Sequence, residues 1–172
     1  MSRAVFHRIA ILSVTVIGLA GAATTAPPTA AERGVLERGR FLVTYGGCNE
    51  CHTPGWVESD GRLPASRWMT GSTVGFRGPW GTIYPANVRL WFRESSEADW
   101  LHAVETRGGH PPMKWTDLRA LSIADRRAIY RFIRSLGPAG APAPNDLQPG
   151  VEPNTPYLDV IPRLPAGRSP QP

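Results

Sequence analysis

Cys48-Asn49-Glu50-Cys51-His52 contains the only two cysteines of the 172-residue chain, two residues apart and followed at once by a histidine. That spacing is the attachment signature of a c-type haem. Each thiol can add across one vinyl group of the porphyrin, and the two intervening residues roughly match the distance between the vinyls. His52 is then carried beneath the iron, where an imidazole nitrogen can ligate it. The reading makes Cys48 and Cys51 thioether anchors and His52 a metal ligand, with one covalent haem c and its iron as cofactor. Two other chemistries use the same residues. A redox-active dithiol sits at the turn from a strand into a helix, and no strand-rich stretch precedes Cys48. A four-cysteine zinc site cannot be built from two cysteines, and a mixed site drawing on His102 or His110 lacks the paired ligands usual at both ends.

Outward from the motif, the N-terminus agrees with such a cofactor. Arg3 and Arg8 mark a basic start, Ile9 to Ala23 is uncharged and apolar, and Ala20-Gly21-Ala22 offers small residues for cleavage. Residues 1–22 therefore read as an export signal, and 23–32 as a short linker. The apolar run is shorter than the roughly 20 residues that span a bilayer, so membrane association is expected only if the signal stays uncleaved or through a partner. Thiols must remain reduced until haem arrives, which in bacteria happens outside the cytoplasm, so the periplasm is the expected compartment. Without Arg3 and Arg8 the formal charge falls from +5 to +3. Arg126, Arg127, Arg131 and Arg134 form a basic stripe with no interleaved aromatics, which excludes nucleic acid and leaves a solvated face or a surface that steers an acidic redox partner.

Ten of the eighteen prolines lie beyond Gly137, where amphipathic periodicity stops. One helical domain, 33–137, is expected before a Pro-rich tail, 138–172, that is disordered or lies extended on a surface. Its stretch Pro156 to Pro162 is a candidate to lie against the domain or a partner. Val35 to Tyr45 predicts a helix closed by Gly46-Gly47. Ser96 with Asp99, and Ser122 with Asp125, predict two more, stopped by Gly108-Gly109 and Gly137-Pro138. A turn of helix is expected around Asp117 to Leu121. Gly39 is placed to let Phe132 or Tyr130 approach the first helix closely. Between His52 and Ser95 the glycines, prolines and tryptophans predict a loop around a flat ligand rather than a sheet. The fold class is mostly α.

The open face of the haem needs its own ligand. Met113, sixty-one residues after His52, follows Pro111-Pro112, which hold the loop extended. A thioether favours Fe(II) and raises the potential relative to two histidines. Met69 and the histidines at 102 and 110 are rivals, and Lys114 competes only after losing its proton. Trp115 and the prolines are expected to shield the sulfur. The second nitrogen of His52 needs an acceptor, for which the carbonyls near Pro54 or Pro64 are candidates. The tryptophans are read as core and haem-edge packing.

With the attachment motif after a first helix, a late methionine loop and a closing amphipathic helix, residues 33–137 resemble the class I c-type cytochromes. Gly78-Pro79-Trp80-Gly81-Thr82-Ile83-Tyr84-Pro85-Ala86-Asn87 is similar to the segment following the haem motif in cytochrome subunits of membrane-associated alcohol and gluconate dehydrogenases, and Glu37 to Leu42 and Pro112-Met113 fit the same group. The resemblance implies a helical domain wrapped around a single haem with His52 and Met113 axial, and Tyr84, Asn87 and Arg89 near its propionates. It implies a periplasmic one-electron carrier, itself not an enzyme, working between a dehydrogenase and a downstream cytochrome or oxidase. Those subunits carry several haem motifs and an anchor, whereas one motif occurs here, so quinone reduction is not carried over. The competing functions are a haem enzyme or gas-binding sensor with an open or labile sixth position, and an adaptor whose haem only staples the fold.

Overall fold

The computed structural model describes residues 27–161; the export signal expected over 1–22 lies outside them. Helix α1, Ala30–Tyr45, starts three residues before the expected domain boundary. Its start is set by a reciprocal cap in which the Thr29 hydroxyl accepts from the Glu32 N–H while the Glu32 carboxylate accepts from the Thr29 N–H. α1 ends as the Gly46 N–H returns to the Leu42 carbonyl at 2.9 Å. Gly47, at φ +67°, then turns the chain through a region that only glycine enters at no cost. The short helix α2, Cys48–His52, follows directly.

Two expected helices form with their predicted caps. In α4, Glu97–Thr106, Ser96 and Asp99 cap each other reciprocally. In α6, Ile123–Ser135, the Ser122 hydroxyl accepts from the Asp125 N–H at 3.1 Å. The expected short turn is α5, Trp115–Ala120. α1 crosses α6 where Gly39 faces it, and a Cβ at position 39 would lie 2.1 Å from the Ala128 carbonyl oxygen and 2.6 Å from Phe132 Cβ. Phe132 is thus the large residue that Gly39 admits. The core formed around this crossing contains Val43, Trp68, Met69, Phe92, Trp100, Val104, Ile129 and Ile133, all buried.

The stretch predicted as one loop differs. It contains a further helix, α3, Val88–Glu94, and a hairpin of β1, Gly75–Gly78, and β2, Gly81–Ile83. A third strand, β3, Tyr157–Asp159, pairs parallel to β1 and completes the sheet order β2-β1-β3. Strands of three and four residues carry no alternation long enough to read, and the third comes from the tail. The described part of that tail, 138–161, lies against the domain. Thr82 and Leu147 exchange backbone hydrogen bonds at 3.0 and 2.8 Å, and Gly81 comes so close that a Cβ there would lie 2.0 Å from the Leu147 carbonyl oxygen. Among the described residues no helix is long and apolar enough to cross a membrane.

The arginines of the α6 stripe all hold partners within the fold. Arg126 is buried and bonded to Glu105 and to the carbonyls of Arg119 and Leu121. Arg127 and Arg131 share Glu97, each at 3.0 Å. Arg134 closes the C-terminus of α3 through the carbonyls of Phe92 and Arg93.

Candidate functional site

In α2, Cys48, Cys51 and His52 occupy positions i, i+3 and i+4, so one turn of helix brings all three to one face. The opposite face is anchored. Buried Asn49 accepts from the Thr53 hydroxyl at 2.7 Å, and that hydroxyl in turn accepts from the Met69 N–H at 2.8 Å. The anchoring fixes the helix from the side away from the cysteines.

His52 is held at two points. Its carbonyl accepts from the Gly71 N–H at 2.9 Å, and its Nδ1 lies 2.8 Å from the Ala86 carbonyl oxygen. A carbonyl only accepts, so Nδ1 carries the proton and Nε2 keeps its lone pair. Burial lowers the pKa of the ring, against an opposing effect of Ala86, and so favours the neutral form that binds metals. The expected acceptors near Pro54 and Pro64 are therefore replaced by Ala86. A main-chain carbonyl 34 residues away leaves no mark in the sequence.

Both cysteines are free thiols. Burial pushes the Cys48 thiol up to about 11, and burial also raises that of Cys51. Dithiol redox centres need the reverse, a lowered pKa that supplies thiolate, so this environment does not suit thiol–disulfide exchange. Nor does a zinc site assemble, since among the described residues no group of three or more His, Cys, Asp or Glu side chains is placed to hold a metal. His102 is exposed on α4, and His110 stacks on Trp80 with ring centroids 5.1 Å apart.

Met69 and Met113 differ sharply. Met69 is 3% exposed and packed within the core. Met113 is half-buried, outside that core, in the loop between α4 and α5. The loop folds tightly on itself, since a Cβ on Gly109 would meet Trp115 at 2.6 Å and the Met113 carbonyl oxygen at 2.8 Å. Trp115 packs inward against Trp100, with centroids 6.3 Å apart, and its outer side is covered by Arg107.

Tyr84, Asn87 and Arg89, expected at haem propionates, are bonded to other partners. The Tyr84 hydroxyl lies 2.8 Å from Thr155 Oγ1. Asn87 caps α3 by accepting from the Leu90 N–H, and its amide donates to the carbonyls of Ala139 and Ala141 at 2.8 and 3.0 Å. Arg89 donates to the carbonyls of Leu136 and Gly137 at the end of α6 and to Ser66. All three tie the domain together, two of them through the tail.

One residue near the methionine loop was missed as a candidate. Trp80, at the tip of the β1–β2 hairpin, keeps a buried Nε1–H with no partner while its ring stacks on His110. Asn49 Nδ2 on α2 is likewise buried without a partner. The unmet Trp80 donor against the methionine loop suits a cofactor that brings acceptors, as the carboxylates of haem do, whereas Asn49 lies on the anchored face of α2, away from the cysteines. The Gly78-Pro79-Trp80-Gly81 turn was a visible signal for such a donor, because a tip tryptophan exposes its N–H unless something covers it.

No family model and no solved structure matches the chain. One curated relative does. It is the fructose dehydrogenase cytochrome subunit of Gluconobacter japonicus, 27% identical over 151 residues that take in 78% of this chain and 29% of the relative. The chain is similar to a cytochrome. It spans less than a third of that subunit's length, and the likeness supports a cytochrome-like, electron-transferring role.

Proposed function

We propose that this chain is a monohaem c-type cytochrome domain that passes single electrons from a dehydrogenase toward the respiratory chain and performs no bond chemistry on a substrate. The observation carrying it is the attachment face of α2, on which two thiols stand beside an imidazole whose Nδ1 proton is given to a carbonyl and whose Nε2 is free. Cys48 and Cys51 would hold the haem through thioethers, and His52 Nε2 and Met113 Sδ would ligate its iron. When bound, the haem supplies a reversible Fe(II)/Fe(III) couple. The chain's part is to set the potential and keep water away. The Ala86 carbonyl makes the imidazole a stronger donor, the thioether favours the reduced state, and Trp115 backs the methionine loop. The cytochrome likeness to a dehydrogenase subunit supports a dehydrogenase as donor, and the apolar leader in the sequence supports maturation in the periplasm.

The test is expression with its own leader in a bacterium equipped for cytochrome c maturation. The mature protein is expected to gain the mass of one haem, to show in its ferric form the weak far-red sulfur-to-iron band, and to resist carbon monoxide when reduced. Protein made in this way without added mass would falsify the proposal. A ferrous form that binds carbon monoxide readily would move the function to a gas sensor or haem enzyme.

A further inference from the structure

The carbonyl that orients His52 belongs to a segment with little structure of its own. β2 ends at Ile83 and α3 begins at Val88, so Ala86 lies in the connection between them, outside any ladder or helix. A carbonyl in such a stretch holds a hydrogen-bond geometry only if its neighbours are fixed. On one side they are fixed by nearby chain, as the Ser72 N–H donates to the Pro85 carbonyl at 2.9 Å and Gly71 packs where a Cβ would strike the Asn87 nitrogen at 2.7 Å. On the other side they are fixed by the α3 cap at Asn87 and by contacts from beyond Gly137. The Tyr84 N–H donates to Asp146 Oδ1 at 2.8 Å, two residues before Ala86, and the Asn87 amide clasps Ala139 and Ala141, one residue after it. Gly140 fits between these last two contacts, and a Cβ there would lie 3.2 Å from Asn87 Nδ2.

We propose that the segment following Gly137 is a positioning strap, acting through Asn87 and Asp146, which holds the Ala86 carbonyl on His52 Nδ1 and thereby lowers the reduction potential of the iron. This rests on His52 being the haem ligand. A hydrogen bond accepted from Nδ1–H adds electron density to the ring and raises its basicity, and a stronger donor stabilises Fe(III) over Fe(II). Releasing the strap lengthens that bond and shifts the equilibrium toward Fe(II). Asn87 and Asp146 touch no reacting atom, so a purely structural role would change the unfolding temperature and leave the potential in place.

The experiment compares haem-loaded Asn87→Ser, which keeps an acceptor for the α3 cap but loses the amide, with Asp146→Ala and Asp146→Asn. The last two remove the same charge, but only Asp146→Asn retains an acceptor for the Tyr84 N–H. Asn87→Ser and Asp146→Ala are each expected to raise the Fe(II)/Fe(III) ratio at fixed ambient potential by about threefold to tenfold, tenfold being ~59 mV for one electron. Solvent exchange of the His52 Nδ1 proton, followed by NMR of the ferric protein, should speed up by about tenfold or more, the scale on which groups behind a ligand act. Asp146→Asn and the control Val151→Ser should stay near the unaltered chain. Folded, haem-loaded Asn87→Ser and Asp146→Ala proteins with unaltered potential and exchange overturn the strap alone. An unaltered chain that takes up no haem overturns the parent reading and the strap together.

Discussion

Met69 and Met113 show how the same side chain takes opposite parts. Met69 is enclosed by the core, and truncating it to alanine should cost about 2–5 kcal/mol of stability, read as a lower urea midpoint, with the haem spectrum unchanged. Met113 supports no packing of that kind. Met113→Ala is expected to leave the urea midpoint close to that of the unaltered protein, to abolish the far-red band and to lower the midpoint potential by on the order of 100 mV, within the ~0.8 V that axial ligands span. Had Met69 been the ligand, the two spectra would exchange. At this scale the shared face of Cys48, Cys51 and His52 was readable because the three side chains lie within five residues and their spacing fits one helical turn. Tyr84, Asn87 and Arg89 were readable as important, but the partners that they hold within the fold were not. The partners of Tyr84 and Asn87 at Thr155, Ala139 and Ala141 lie 52–71 residues further on, in a region whose composition suggests no fixed structure, and Arg89 reaches the end of α6 and back to Ser66.

Among the elements, the crossing of α1 and α6 makes two glycines of one helix into opposites. Gly39→Ala drives a methyl into the Ala128 carbonyl and Phe132, and should cost on the order of 1–3 kcal/mol in thermal unfolding. Gly34, five residues earlier, has nothing within 4 Å of its would-be Cβ, so Gly34→Ala should gain about 0.5–1 kcal/mol from helix propensity alone. The same pair of helices carries the acid sensitivity of the crossing. Arg38 donates to Asp125 at 2.7 Å and holds that carboxyl below the ordinary aspartate range. A depressed carboxyl stabilises the fold above the unfolded value of about 4 and loses that contribution as pH falls through the folded one. Arg38→Ala should therefore lower the urea midpoint slightly at pH 7, slightly because Arg38 is half exposed, and the difference should vanish near pH 2. The three longer helices announced themselves through caps and periodicity. Helix α3 did not, because seven residues are too few for a period, although Asn87 was its visible cap. The sheet was hidden for a different reason. Its parallel strand arrives some eighty residues after its partner, and no local pattern encodes that pairing.

For the molecule as a whole, the Pro-rich segment is a component of the fold rather than an appendage. It supplies β3, the Leu147 bridge to Thr82 and the two contacts beside Ala86. Ending the chain at Gly137 should leave α1, α4 and α6 helical by circular dichroism, while limited proteolysis shifts to cuts between Gly75 and Asn87. A truncated chain as protease-resistant as the full one would count against this role. Proline suits the task because its preset φ reduces the entropy lost when an extended segment is laid onto a surface.

The β1–β2 hairpin is held by two segments from later in the chain, along β2 by Leu147 and at its tip by the ring of His110 against Trp80. His110 stands three residues before Met113, so one ribbon joins the C-terminal region to the methionine loop, and a partner that grips the first would have a mechanical line to the second.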